Sequence, residues 1–518
     1  MTDPTPSAPP VASRSAGAVA GVLGAATALA TGELLSGLLD VTPSPVLAVG
    51  GRFVDEFAAS LKEVAVAWFG TNDKAALVTG TVVISLVLGA LVGVAARRRP
   101  WAAPAVLGGF ALFGAWAQLQ DPRGLGAVVW LIAAASAAAG TGAIVLLLAA
   151  ATAPSDEGAA PATVDRRRFL GLAGAFAVVT AGAAAFGRSL QQHDVVASAA
   201  KRFKLRAPGR TTPVPDAQPI SVEGISSYVT STDDFYRIDT ALSVPQVDAA
   251  SWRLRVEGMV DDPFEMTYED LLALPSVEEV VTLQCVSNEV GGDLVGNARW
   301  QGVPLTDLLE RAGVQDGADQ IFMRSVDGWT CGFPTELAGD GRVALVAYAM
   351  NGEPLPAAHG FPARLVVSGL YGYVSATKWI ESIELTTWDG ADGYWVPRGW
   401  AKEGPIKLMS RIDVPRSGAK VAAGTVAFGG VAWLPNTGIS KVEVQVDDGE
   451  WTEADLGRVA SVDTWVQWRA EVSLAAGDHR ARVRAIDADG RVQTAEVAEP
   501  APDGATGLDE VRFTVEGS

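Results

Sequence analysis

The sequence is poor in the residues that build metal clusters and covalent frameworks. Its 518 residues hold two cysteines, Cys285 and Cys331, and three histidines, His193, His359 and His479. Two thiols exclude a disulfide-rich scaffold and a four-cysteine zinc site, and three scattered imidazoles do not make a histidine-rich metal centre. No Cys-x-x-Cys-His stretch occurs, so c-type haem attachment is excluded. Charge is scarce too, at 19% of residues against 49% hydrophobic. Positive charge is the minority: 40 Lys and Arg stand against 59 Asp and Glu, a net −19. Residues 1–200 carry 12 basic and 12 acidic side chains, so the whole negative balance falls on 201–518. A protein that tracks nucleic-acid phosphates needs the opposite sign, and that class is set aside.

What the chain has in plenty is apolar runs rich in Ala and Gly. Runs at about 17–39, 75–96, 101–119 and 125–151 approach the ~20 residues a membrane helix requires, and a fifth at about 169–187 is just long enough. Glu33 lies near the end of the first run, where it can reach the membrane interface. No span contains a His, so none offers a ligand for b-type haem, and no ionisable residue sits centrally, which argues against a transporter. The triplets Arg97–Arg99 and Arg166–Arg168 fall on one side if the N-terminus is cytoplasmic, as the positive-inside rule asks. The loops 40–74 and 120–124 then face outward, and so does everything after about residue 190. Asp165-Arg166-Arg167-Arg168-Phe169-Leu170 has two readings: it resembles a twin-arginine export signal, the route of folded, often cofactor-loaded proteins, or it is an ordinary stop-transfer cluster.

Composition divides the chain into a membrane anchor at 1–190, with a disordered start over 1–15, a Pro- and Arg-rich linker at 191–224, and globular regions at 225–411 and 412–518. In the first globular region Trp252–Gly258 alternates as a strand, Tyr268–Leu274 reads as a short helix capped by Thr267, and Val280–Leu283 is a buried strand running into Cys285. A helix opens at Val303-Pro304-Leu305. From Ile412 onward short strands such as Lys441–Val446, Trp465–Val472, Ala481–Ile486 and Val511–Val515 alternate with Gly- and Asp-rich turns, the pattern of an immunoglobulin-like sandwich.

Two segments carry chemistry. In Thr282-Leu283-Gln284-Cys285-Val286-Ser287-Asn288, a cysteine at the end of a buried strand is either a packed small hydrophobe or a soft thiolate ligand for a transition metal. The neighbouring Asn288 and Gly291-Gly292 bring amides near it. In His359-Gly360-Phe361-Pro362-Ala363-Arg364, followed by Ala376-Thr377-Lys378-Trp379, three basic side chains fall within 20 residues of otherwise apolar chain. They suit an anionic ligand such as a phosphate, or else form surface salt bridges.

Taken in order, Thr282–Asn288, Ala298-Arg299-Trp300-Gln301-Gly302-Val303-Pro304-Leu305, Ala347–Pro356, His359–Arg364 and Lys378-Trp379 resemble the sulfite oxidase family of molybdopterin enzymes, over about 225–518. The resemblance implies a multi-domain chain. It would have an α+β molybdopterin domain and a C-terminal all-β immunoglobulin-like sandwich matching the family's dimerisation domain; the N-terminal all-α transmembrane bundle rests on the apolar runs and is not explained by the family's soluble members. It makes Cys285 the molybdenum ligand, with Asn288 beside it, and His359, Arg364, Ala376, Thr377 and Lys378 contacts of the pterin. Asp327 falls near a pterin-contacting aspartate, and Tyr236 and Arg237, offset by one residue, occupy the place of a Phe-and-Arg segment at the cofactor. Trp400 aligns with an active-site tyrosine. Two arginines of the sulfite-oxidising members are replaced, by Val290 and in the stretch Pro502-Asp503-Gly504.

The resulting expectation is a membrane-anchored, multi-pass oxidoreductase whose catalytic domain faces away from the cytoplasm. It transfers an oxo group on a small substrate other than sulfite, uses molybdenum-molybdopterin without haem, and exchanges electrons with a separate carrier. Partners are membrane lipid and a second copy through the C-terminal domain. The rival expectations are a sulfoxide-type reductase of the same fold and a cofactor-free binding module displayed outside the membrane.

Overall fold

The computed structural model describes residues 11–39, 43–56, 73–121, 126–152, 166–191, 195–215, 220 and 222–517. They divide into two compact units, one of Met1–Asp194 with Thr240–Gln246, the other of Val195–Asp239 with Val247–Ser518. Of the start expected to be disordered, residues 1–10 lie outside the described residues. The chain is already helical from Arg14, where Ser13 Oγ caps the helix by accepting from Ala16 N at 3.1 Å.

The first unit contains five helices long and apolar enough to cross a membrane: α1 Arg14–Leu38, α2 Asp73–Ala96, α3 Ala102–Leu119, α4 Gly126–Ala150 and α5 Arg166–Gln191. They cover the five apolar runs. α1 packs against α2, α4 and α5. Lipid tails are as apolar as leucine, so such helices associate through close packing rather than burial from water, and small residues allow it. Each of these three helix pairs has a close approach at glycine. A Cβ on Gly21 would collide with the backbone of Gly89 and Gly93, one on Gly140 would strike the Gly24 carbonyl, and one on Gly37 the Gly187 carbonyl. Glu33 differs from its expected place at the interface. It is buried in the bundle, where Oε1 accepts from Ser44 Oγ at 2.7 Å and Arg188 Nε stands 4.0 Å from Oε2. A buried carboxylate needs such partners, and the turn at Pro43-Ser44-Pro45 supplies one.

The second unit holds four sheets among its described residues. The first runs β1 (Arg210–Thr211), β4 (Val277–Gln284), β5 (Val295–Pro304), β8 (Ala344–Met350) and β10 (Arg364–Val367), with β9 (Glu353–Pro354) on β8. The second runs β3 (Phe264–Thr267), β2 (Arg253–Gly258), β11 (Ile380–Thr386), β6 (Gln320–Ser325) and β7 (Thr330–Pro334). Their shared core contains Leu254, Leu271, Trp300, Ile321, Tyr348 and Val366. The helix Tyr268–Ala273 carries the expected Thr267 cap, completed into a reciprocal box by Asp270.

The stretch read as linker is partly structured. It carries a helix, Val195–Arg202, and β1, which pairs in parallel with β4. The cause lies in β4, whose Glu278 and Glu279 are buried and need partners. Arg210 of β1 ion-pairs with Glu279 at 2.7 Å, Thr212 hydrogen-bonds it, and Arg299 of β5 pairs with Glu278.

The C-terminal strands form two sheets around one core of Phe428, Val444, Trp468, Val483 and Phe513. One runs β12 (Met409–Val414), β14 (Gly424–Trp433), β18 (Val466–Leu474) and β17 (Asp455–Leu456). The other runs β13 (Lys420–Ala422), β20 (Glu510–Glu516), β19 (Gly477–Asp487), β15 (Ile439–Val446) and β16 (Trp451–Glu453).

The glycine contacts yield a direct test. Gly21→Leu forces the α1–α2 backbones apart and should cost about 1–3 kcal/mol or more, the ordinary price of overpacking. Gly80→Leu, with nothing within 4 Å of its Cβ position, should be silent. Thermal unfolding of the full chain in detergent reads both; equal midpoints would refute glycine-mediated packing.

Candidate active site

β4 delivers Cys285 at its C-terminal end, and the loop 285–294 turns the chain back into β5, whose Val295 pairs with Gln284. Cys285 is buried and in no disulfide. The loop is cross-braced: Cys285 N donates to Leu294 O at 2.9 Å, Asn288 N to Cys285 O at 3.0 Å, and Leu294 N to Asn288 Oδ1 at 2.8 Å. Asn288 is thereby held by its oxygen, and its buried Nδ2 has no hydrogen-bond partner. Gln284, the residue before the cysteine, is in the same state. Its Oε1 accepts from Trp433 Nε1 at 2.8 Å and its buried Nε2 is left unpaired. Native structures rarely leave buried donors unsatisfied, and the Asn288 amide on the cysteine loop is one that an acceptor could meet.

The second sequence segment folds into a basic cluster. A short turn, Ala357–His359, is closed by Gly360, whose Cβ position lies 3.0 Å from Arg364 Cβ and 3.1 Å from Lys378 Cα. Only a residue without a side chain lets His359, Arg364 and Lys378 come this close. His359 Nε2 donates to the Thr232 carbonyl at 3.1 Å. Arg364 is buried, its guanidinium 4.9 Å above the Trp300 ring and bonded only to carbonyls, of His359 at 3.3 Å and Leu365 at 3.4 Å. Lys378 Nζ pairs with Asp239 Oδ2 at 2.7 Å, and Arg237 Nε reaches the same oxygen at 3.0 Å. Phe235, stacked on Tyr236 at 5.1 Å, presents its edge to Trp300 and His359.

The charge count of this cluster is decisive. Among the described residues, Arg237, Arg364 and Lys378 are cations against one carboxylate, Asp239, leaving a net +2, with Arg237 at the exposed edge. Burial pushes the Arg364 pKa down to about 10 and that of Lys378 down to about 8, the latter against the pull of Asp239. His359 is driven down to about 4, chiefly by burial and then by Arg364 and Lys378, so at neutral pH it is an uncharged donor. The cluster suits a dianion such as a phosphate ester.

Tyr236 links the two segments. Burial raises its phenol above the ordinary range, the adjacent Cys285 adds to the rise, and Arg364 opposes it. On another side stands Tyr371, raised to about 12 by burial, with contributions from Asp503 and Cys285. Lys407 N donates to Tyr371 Oη at 3.4 Å, while Lys407 Nζ pairs with Asp503 Oδ1 at 3.0 Å and the Gly504 carbonyl at 2.7 Å. The position where the resemblance places a sulfite-binding arginine therefore holds an ion pair neutralised within the protein. Val290 brings no charge; its side chain packs toward Gly507.

The remaining candidates divide. Thr377 Oγ1 meets Cys331 Sγ at 3.0 Å, and Cys331 is buried with its thiol pushed up to about 12. Ala376 N donates to Gly372 O at 3.0 Å in the turn that leads to Lys378. Asp327 Oδ1 accepts from Trp329 N at 3.2 Å, an arrangement that shapes its own turn, although Val326 next to it bonds Trp379. Trp400 packs with Tyr373 at 5.9 Å and Trp395 at 6.2 Å, on the Tyr371 side rather than in the basic cluster. Trp300, Tyr371 and Asp239 fall within sequence motifs but have no role in the sequence reading, and Thr232 and Lys407 fall outside those motifs. Asp239 had a signal, two residues after Arg237; Lys407 had none. Among the described residues no group of three or more His, Cys, Asp or Glu is placed to hold a metal ion.

Comparison with known proteins points to one family. The oxidoreductase molybdopterin binding domain family matches residues 241–395. The uncharacterized oxidoreductase YuiH of Bacillus subtilis is 38% identical over 159 residues, 30% of this chain and 76% of that protein. The sulfite oxidase of Arabidopsis thaliana is 30% identical over 292 residues, 46% of this chain and 73% of that one. The mitochondrial sulfite oxidase of Mus musculus is 29% identical over 306 residues, and the match spans 54% of its length and 51% of this chain. The crystal structure of the sulfane dehydrogenase SoxCD from Paracoccus pantotrophus superposes with a TM-score of 0.50 at 22% identity, over 57% of this chain and 85% of that one, a likeness of fold.

The depressed His359 predicts a pH dependence. In the unfolded chain the imidazole takes a proton near pH 6.5, but the folded cluster resists until about pH 4. The unfolded state then binds more protons in that window, so stability falls as pH drops from 6.5 to 4, by on the order of 3 kcal/mol. His359→Gln keeps a donor for Thr232 and should flatten this part of the curve when unfolding of the cofactor-free chain is followed between pH 7 and 4. An unchanged slope would show that His359 is not held neutral.

Proposed function

The chain belongs to the sulfite oxidase family of molybdopterin-dependent oxidoreductases, and on that premise we propose that it is a membrane-anchored enzyme acting by oxo transfer on a small, uncharged substrate. The reading is carried by a buried thiol and a basic cluster in one unit: Cys285, with the unpaired Asn288 Nδ2 on its loop, and Arg364, Lys378 and Arg237, with Tyr236 feeling the charge of both Cys285 and Arg364. When bound, molybdenum-molybdopterin supplies a metal that cycles between oxidation states and accepts or donates an oxo group. Cys285 is the protein's ligand to that metal, and the free Nδ2 of Asn288 is a donor to its surroundings. Arg364, Lys378 and Arg237 hold the pterin's phosphate, and neutral His359 donates without adding charge. Ala376 and Thr377 shape the approach to Lys378, and Asp327 serves the same end from the neighbouring turn.

Substrate charge follows from the other wall. Lys407 is occupied by Asp503, and Val290 carries no charge, so the site offers no spare cation at the two positions the sulfite-oxidising members use. Trp400, packed tilted against Tyr373 and edge-on against Trp395, favours an apolar substrate face. This neutrality supports sulfoxide-type reduction as a second reading. The C-terminal pair of sheets is an immunoglobulin-like sandwich that serves dimerisation. The five apolar helices anchor the enzyme in lipid, with the catalytic domain on the extracytoplasmic side after twin-arginine export. The acidic surface of 201–518 steers a basic electron carrier to it.

Two outcomes are expected. Cys285→Ser should abolish turnover, because a hydroxyl is a poor molybdenum ligand, whereas Cys331→Ser should retain most of it. Equal losses would remove Cys285 from its role. In steady-state assays sulfite should be a poor substrate: each missing charge-assisted hydrogen bond is worth roughly 1.5–3 kcal/mol, so two cost about a hundredfold or more in binding. Sulfite oxidation with a low KM, alongside inert neutral sulfoxides, would contradict the uncharged-substrate reading.

A further inference from the structure

The loop that carries Cys285 is gripped from the C-terminal sheets, and one arginine makes the grip. Arg411 lies on β12 with its side chain only 11% exposed. Its three nitrogens all donate: Nε to Asp413 Oδ1, Nη2 to Ser226 Oγ and Nη1 to the Gly292 carbonyl, each at 2.7 Å. Asp413 completes a ring, its Oδ2 accepting from Ser226 N at 2.8 Å. The planar guanidinium is thus fixed on two sides before it reaches the loop, which a lysine could not reproduce.

A second contact from the same sheets acts one residue earlier. Gly291 has φ +77°, and a Cβ there would lie 3.0 Å from Asp509 Cγ. Asp509 is itself buried and held by Ile412 N, which donates to its Oδ2 at 2.8 Å. Gly291-Gly292 is therefore seated on one side by Asp509 and tied on the other by Arg411. Through Leu294, which bonds both Cys285 and Asn288, that seat is continuous with the thiol. Gly430 of β14 allows the approach: a Cβ there would stand 3.0 Å from the Arg411 carbonyl carbon.

We propose that Arg411 is a positioning residue for Cys285: by holding the Gly292 carbonyl from β12 it fixes the thiol and the Asn288 amide in one geometry. The inference rests on the reading of Cys285 as the ligand of the metal-bearing cofactor. A ligand on a loop needs such support, because small displacements of a reacting centre are costly. The C-terminal sheets, which bring no catalytic group to the thiol's loop, then act on the site through this contact.

The test compares Arg411→Gln, Arg411→Lys, the milder Ser226→Ala and a control, Ser368→Ala, in the full chain. The control removes the hydrogen bond between Ser368 and buried Asp463, another tie between the same regions, one that touches no residue of 285–294. Amide exchange over residues 285–294, the paramagnetic signal of the half-reduced metal and steady-state kinetics are measured together. In Arg411→Gln the loop amides should exchange about tenfold faster or more. The metal signal should split into several species, and kcat should fall about tenfold at nearly constant KM. Arg411→Lys should restore only part of this, and Ser226→Ala should move all three readouts less in the same direction, covering the case in which Arg411→Gln does not fold. Ser368→Ala should lower the unfolding temperature while leaving loop exchange and metal signal unchanged. Wild-type exchange and signal in both Arg411→Gln and Ser226→Ala, or equal disturbance by Ser368→Ala, would overturn the proposal. Faster loop exchange in a chain that binds no molybdenum would uphold the grip and instead sink the cofactor reading.

Discussion

Two buried cations, Arg364 and Lys378, with Arg237 at the exposed edge and one carboxylate, Asp239, between Lys378 and Arg237, constrain this half of the protein. Removing charge from water is expensive, and like charges held together add to the cost. Arg364 has a ring face and backbone carbonyls for company, while Lys378 and Arg237 share Asp239. A chain that keeps such an arrangement is built to receive an anion. The cluster draws together residues 232–239, 357–364 and 378, which the two central sheets hold in place. His359 shows how the fold limits the excess: its ring stays neutral and contributes a donor rather than a fourth charge.

The thiol of Cys285 stands next to this cluster by way of Tyr236, and beside a second tyrosine, Tyr371, by way of the C-terminal region. The C-terminal sheets thus do more than cap the molecule. Their residues seat the cysteine loop through Arg411 and Asp509 and neutralise Lys407 through Asp503. On the proposed function, cofactor affinity, ligand geometry and substrate charge fall to three different parts of one unit, an arrangement that would let substrate change without loss of the cofactor.

Much of this was legible in the sequence wherever the information is local. The apolar runs mark the five long helices because length and hydropathy are properties of a segment. Cys285 ends a buried strand, and Thr267 and Asp270 announce a capping box, for the same reason. The basic cluster was legible only as a series of short motifs, since nothing in the spacing of His359, Arg364 and Lys378 states that they meet. The rest depends on pairs distant in the chain. Arg210 structures the supposed linker because it answers Glu279, 69 residues on. Glu33 turns inward because Ser44 and Arg188 are there to meet it, and Asp503 is read correctly only once Lys407 is seen beside it. Glycine abundance suggested membrane segments, but not that Gly21, Gly24 and Gly37 each face a glycine on another helix.

The measurement that bears most directly on the central claim is the molybdenum and pterin content of the purified full chain, from a host that makes the cofactor, compared with Arg364→Met. The wild type should carry about one molybdenum and one pterin per chain. Arg364→Met, which removes one buried charge at similar volume, should fold and lose most of both, because charge-assisted contacts to phosphate are worth roughly 1.5–3 kcal/mol each. A wild-type chain that carries zinc or no metal, or a variant that keeps its full pterin content, would contradict the account.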